Sequence, residues 1–138
     1  MATDFEDACE RHWQDAEILF HLERWANADH LYGFSAESGL KKLMLAFGMP
    51  FDTNKDKPKE YSDKQHIDTI WLRYETYRSG RVVGTDYLLS SQNPFDDWNA
   101  SQRYSNQQQF TQIEAEKHRN GAEQVKNILK QAKTDGAI

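Results

Sequence analysis

Five cationic side chains, Arg24, His30, Arg78, Arg81 and Arg103, together with the Tyr104 ring that follows the last of them, are the residues best suited to binding chemistry in this chain. A guanidinium presents a planar fork of donors that matches phosphate, and an aromatic ring offers a face on which a base can stack. With Tyr77 and Trp98 placed nearby, such a group suits RNA or a nucleotide. A plainer role competes with this one. The same arginines can pair with Asp29, Asp86, Asp96 and Asp97, and a helix C-terminus favours arginine for its dipole alone.

Other chemistries fit the spacing poorly. A ferritin-like metal centre needs Glu-x-x-His on two helices. This chain offers Glu17–His21 and Glu114–His118 at a spacing that suits surface pairs, Asp63–His66, and no His-x-x-x-His. No metal and no cofactor is therefore expected. His66 and Arg73, seven apart, should flank the core face of one helix and meet neighbours. The single cysteine, Cys9, cannot form an intramolecular disulfide and falls on an apolar stripe, where it reads as a small core residue. Gly80-Arg81-Val82-Val83-Gly84 lacks the strand–helix context of a phosphate-binding loop. Lys55, Lys57, Lys59 and Lys64 alternate with Asp52, Asp56, Glu60 and Asp63, which makes 52–64 a solvated connection.

Four amphipathic segments must position these residues. Phe5, Ala8/Cys9, Trp13, Ala16 and Leu19/Phe20 step by three and four, which predicts a helix from Phe5 to Trp25 capped by Thr3 or Asp4. Asp29 offers the cap of a second helix, from His30 to Phe47, with Tyr32, Ala36, Leu40 and Leu43/Met44 inward and Gly48-Met49-Pro50 as its stop. Ser62 or Asp63 can cap a third over Gln65 to Tyr77, with Ile67, Ile70/Trp71 and Tyr74 on one face and Gly80 beyond its end. The last should run from Asn106 to Lys133 through Phe110, Ile113, Lys117, Val125, Ile128/Leu129 and Ala132, weakened at Gly121. Between them, 81–106 is irregular, with room for a short hairpin in 81–92. Joined by connections read as antiparallel, the four helices predict an all-α, up-down bundle in a single domain, 1–138. In that topology the first turn, the end of the third helix and the start of the fourth meet at one end. That is what gathers the arginines.

The chain has 138 residues, with 17 Lys+Arg against 22 Asp+Glu and a net charge of −5. That balance speaks against coating nucleic acid through bulk charge. Mean hydropathy of −0.92 leaves no stretch long and apolar enough for a membrane span, so no membrane partner is expected. The acidic start, Thr3-Asp4-Phe5-Glu6-Asp7, does not read as a secretory leader, and the cytoplasm is the expected location.

The stretch Tyr32-Gly33-Phe34-Ser35-Ala36-Glu37-Ser38-Gly39-Leu40-Lys41-Lys42-Leu43-Met44 resembles the second helix of HEPN domains, in which small residues, a Glu and a Leu-Lys step pack tightly into a bundle. Trp13-Gln14-Asp15-Ala16-Glu17-Ile18-Leu19 is similar to their first helix, and Arg103-Tyr104 to the Arg-Tyr step before their last one. The resemblance leaves out 48–64 and 81–98. It implies a HEPN-like bundle and a homodimer.

Catalytic members of that family are metal-independent ribonucleases that use an Arg, then four to six intervening residues, then a His. After Arg103 those positions hold Gln108, Gln109 and Phe110, so the histidine is missing. Arg24–His30 has the spacing but lies at the first turn, in another element. The expected function is thus binding without catalysis, the ligand being RNA, a nucleotide or a partner protein such as a nucleotidyltransferase. One alternative is a divergent ribonuclease pairing Arg103 with His30. Another is a small acidic interaction protein, an antitoxin or immunity protein facing a toxin, whose charge would mask a basic surface.

Overall fold

The computed structural model describes residues 1–82 and 85–138; Val83 and Gly84, part of the expected 81–92 hairpin, lie outside the described residues. Four helices carry the fold: α1 (Phe5–His21), α2 (Trp25–Ala46), α3 (Ile67–Arg81) and α4 (Gln112–Thr134). The all-α class holds. The one two-stranded hairpin among the described residues pairs β1 (Phe51–Asp52) with β2 (Lys57–Pro58), in the connection read as loop, not in 81–92. No helix among the described residues is long and apolar enough to cross a membrane.

Local chemistry explains the helix ends. Asp4 caps α1 by accepting from the Asp7 amide at 3.0 Å. The helix stops at His21, earlier than its apolar pattern, because Glu23 takes a left-handed φ of 59° and turns the chain straight into α2. Asp29 consequently lies inside α2 and caps nothing; its side chain is buried. Gly48, at φ 104°, closes α2 while the Met49 amide donates back to the Met44 carbonyl at 2.9 Å. α3 continues through Gly80 to Arg81. α4 begins at Gln112, capped by Thr111, because the preceding residues form two 3-10 turns, Ala100–Tyr104 and Gln107–Gln109, each with its own asparagine cap.

The helix directions depart from the up-down order. α1 runs against α2, since Ser35 donates to the Cys9 carbonyl at 2.8 Å and Phe20 meets Trp25 at 5.1 Å. The start of α3 lies beside the middle of α2, with His66 2.9 Å from Glu37, and its end lies beside Gly48, where a Cβ would stand 3.8 Å from Arg81. α4 likewise passes Asp29 at His118 and Gly39 at Val125. α2, α3 and α4 therefore run the same way, and 47–66 and, after α3, 85–111 are return crossings. Such a crossing needs only enough extended chain, at about 3.4 Å per residue, to retrace a helix rising 1.5 Å per residue.

α2 is the central helix, packed on the other three, while α3 and α4 do not pack closely on each other. The segment 93–98 fills the space between them. Phe95 and Trp98 are fully buried; Phe95 meets Trp71 at 5.8 Å and stacks on His118 at 5.1 Å. Two glycines admit these rings. A Cβ on Gly33 would lie 2.2 Å from the Trp98 indole, and one on Gly121 would lie 2.7 Å from Phe95. Leu40 and Trp71 are core residues, as their helix faces predict.

The phase of α4 differs from the expected one in its first half. Ala115, His118 and Ala122 face inward, whereas Ile113 is exposed and Lys117 reaches outward to Asp97. Along the α1–α4 seam, Arg119, Lys126 and Lys133 meet Glu17, Glu10 and Glu6 in order, a ladder at heptad spacing. Arg119 and Lys126 also lie over the Phe20 and Trp13 rings, at 5.0 and 4.6 Å.

Candidate functional site

The α1–α2 turn and the two 3-10 turns before α4 face each other across a cleft of about 340 Å³. Arg24, Trp25, Asn27 and His30 line one side, and Gln102, Arg103, Gln107, Gln108 and Phe110 the other. Three of the expected site residues, Arg24, His30 and Arg103, thus meet. Tyr104 stands exposed beside them, with the Arg103 guanidinium 4.6 Å from its ring centre.

Arg78 and Arg81 do not join them, and the direction of α3 is the reason. Because α3 runs alongside α2, its C-terminal arginines lie at the opposite end of the bundle, near Gly48. Arg78 is buried there, held by both Glu75 oxygens at 2.7 and 2.6 Å and donating to the Asp86 carbonyl at 3.0 Å.

Two of the carboxylates expected to neutralise the cleft, Asp29 and Asp97, have other partners. Asp29 accepts from Gln102 and contacts His118, both at 2.6 Å. Asp97 takes Lys117 and His118, at 2.7 and 2.8 Å. Arg103 donates to the Ala100 carbonyl at 2.6 Å. Among the described residues neither Arg24 nor Arg103 has an ion-pair partner, so no carboxylate meets either guanidinium. Glu23 is the one carboxylate in the lining.

His30 sits at the floor. Its ring stacks on Trp98 at 5.4 Å and meets the edge of Phe34 at 4.7 Å. Its Nδ1 is buried without a hydrogen-bond partner. Burial, and then the nearby Arg103 charge, push its pKa below the usual histidine value. A neutral ring avoids a buried, unsatisfied N–H by carrying its proton on Nε2. His30 is thereby set up as a neutral donor.

His118 is the buried polar residue that its spacing hid. Glu114–His118 reads as a surface pair, yet His118 is 2% exposed. Its signal was positional: residue 118 falls in register with Ala115, Ala122, Val125 and Leu129, the buried stripe of α4. Glu17–His21 is not a side-chain pair either, since Glu17 binds Arg119 and Tyr32 and the His21 ring meets the Glu17 carbonyl. His66 and Arg73 do meet neighbours, Glu37 for the one and Glu60 with Asp63 for the other. Cys9 is buried, and burial raises its thiol pKa.

Asp97, Glu114 and His118 bring possible metal-ligand atoms within 4.8 Å of one another. The Lys117 ammonium already stands between the two carboxylates, 2.7 Å from Asp97 and 3.6 Å from Glu114, so the group is an ion-pair network.

No family model matches the chain, and no curated protein or solved structure matches it.

Proposed function

We propose that this chain is a HEPN-like binding domain whose cleft takes the phosphate of a nucleotide or of RNA, without catalysis of its own. The observation that carries this is the meeting in one cleft of Arg24 and Arg103, neither ion-paired among the described residues, with the His30 imidazole. Guanidinium–phosphate pairing needs no proton exchange. Trp25 and Phe110, at the same cleft, offer rings on which a base can stack. The glutamines at 107 and 108 donate and accept hydrogen bonds but do not titrate near neutral pH.

Binding of AMP and of a short single-stranded RNA at low salt tests this. Arg103→Ala should weaken both by about tenfold or more, and added salt should erase much of the difference. Lys130→Ala, on the last turns of α4, is the neutral comparison. Arg119 cannot serve in that role, because its guanidinium grips Glu17 with two hydrogen bonds and covers Phe20. Equal affinity in wild type and Arg103→Ala would sink the proposal. RNA cleavage abolished by His30→Ala would replace it with the ribonuclease alternative, which the shared cleft of His30 and Arg103 favours over a chance spacing.

The homodimer expected from the resemblance has one supporting feature. Ile18 and Leu22, one turn apart at the end of α1, are 60% and 66% exposed. Light scattering should give the dimer mass, and Ile18→Lys should reduce it to the monomer; a wild-type monomer at high concentration removes this part of the proposal.

A further inference from the structure

We propose that His118 is a proton-operated latch for the cleft: as an imidazolium it ties the segment 97–104 to α2, and its deprotonation releases that wall.

The latch follows from what both ring nitrogens touch. His118 Nδ1 lies 2.6 Å from Asp29 Oδ2, and Nε2 lies 2.8 Å from Asp97 Oδ1. A carboxylate only accepts, so both contacts are hydrogen bonds only when both nitrogens carry protons. A neutral ring has one N–H, and its other lone pair would then face a carboxylate at the same distance. It would also leave Asp29, 1% exposed, as a buried charge without its countercharge.

The same Asp29 holds the cleft wall. Its Oδ1 accepts from Gln102 Nε2 at 2.6 Å, and its backbone carbonyl accepts from Trp98 Nε1 at 3.3 Å. Gln102 Oε1 in turn accepts from the Asn99 amide at 3.1 Å, closing the 3-10 turn that presents Arg103. The side-chain hydrogen bonds of 97–102 to α2 and to His118 thus pass through Asp29 and the one imidazolium, while the Trp98 ring packs on α2 besides.

The charged groups around the ring are Asp29 from α2, Asp97 from the 93–98 segment, and Glu114 and Lys117 from the preceding turn of α4. From α1, Glu17 is committed to Arg119. Phe95 covers one ring face. Burial by itself would lower the histidine pKa, but the bonds and charges of Asp29 and Asp97 outweigh it and hold the value above the usual one. The sign is then fixed. A folded-state pKa above the unfolded one contributes stability that is complete below the ordinary histidine pKa and is lost as pH rises through the raised value. The wall tightens in acid and loosens in base.

That this wall controls a ligand rests on the phosphate-binding proposal, so two readouts are needed. The full chain, with 15N-labelled histidine, is titrated from about pH 5 to about pH 10. Both His118 ring nitrogens are expected to be protonated at neutral pH. As the ring loses its proton, hydrogen-exchange protection at 97–104, corrected for intrinsic rates, should fall by about tenfold or more while mid-α1 amides hold. Asp97→Asn, at a position whose side chain is 42% exposed, should fold and move both transitions to lower pH. A His118 ring neutral at neutral pH, or wall protection that ignores the ring's titration, overturns the latch.

AMP affinity over the same range reads the coupling. AMP itself gains negative charge in the lower part of that range, which works in the opposite direction. An affinity that falls with the ring's titration, and shifts with Asp97→Asn, supports the coupling; one that stays level while the wall loosens overturns it. No AMP binding at any pH defeats the phosphate role of the cleft, and the exchange data alone then decide the latch.

Discussion

Asp63→Ala should destabilise the fold by about 2–4 kcal/mol, because the partly buried Arg73 guanidinium loses its one buried countercharge. Asp63 is fully buried at the end of the 3-10 turn Tyr61–Asp63. One carboxylate oxygen accepts from Arg73 Nε at 2.8 Å and the other from the Tyr77 hydroxyl at 2.5 Å, which fastens the 47–66 crossing to α3. Without it, Arg73 keeps the half-exposed Glu60, a 3.2 Å bond to the Tyr77 hydroxyl and the Tyr77 ring beneath it. Urea unfolding measures the loss. A second readout locates it: Tyr77, pushed up to about 12 by burial and by its bond to Asp63, should ionise closer to an ordinary tyrosine in the variant. Glu60→Ala, at the exposed partner, should cost less than about 1 kcal/mol. An Asp63→Ala protein as stable as wild type would mean that the crossing is held by its apolar contacts alone.

The second large effect separates glycines by what they face. Gly33→Ala should destabilise by about 1–3 kcal/mol, because the new methyl meets the buried Trp98 indole head on. Gly121→Ala should behave similarly against Phe95 and Pro94. Gly80→Ala should stabilise by up to about 1 kcal/mol, since it is helical and a Cβ there meets nothing within 4 Å. Denaturant midpoints for the three variants give the order directly. Gly33→Ala at or above wild-type stability would show that Trp98 can move aside from its place against α2.

Much of the fold was legible because apolar period and end signals are local. The stripe Phe5 to Phe20, the cap Asp4, the stop at Gly48 and the core positions Leu40 and Trp71 follow from spacing and residue type. The phase of α4 did not, because its true inward face begins with Ala115, His118, Gly121 and Ala122. Small residues and a histidine carry little apolar signal, while Ile113 pulls the apparent stripe to the wrong side. Gly121 alone reads as a weakness; beside Phe95 and Pro94 it is the recess that lets α4 approach.

By itself the sequence determined an all-α chain of four helices, with Arg24, His30 and Arg103 at or near element ends. Only the tertiary structure decided that α3 runs parallel to α2. That choice sends Arg78 and Arg81 to the far end of the bundle and leaves Arg24 and Arg103 facing each other. The physical reason is that connection length bounds, but does not fix, helix direction: a long crossing reaches either end of a bundle. What selects between the two is a set of distant partners, Arg73 on Asp63 and Trp98 in the recess of Gly33 among them. Asp29 and His118, far apart in sequence, become one buried hydrogen-bonded pair only when α4 is laid along α2.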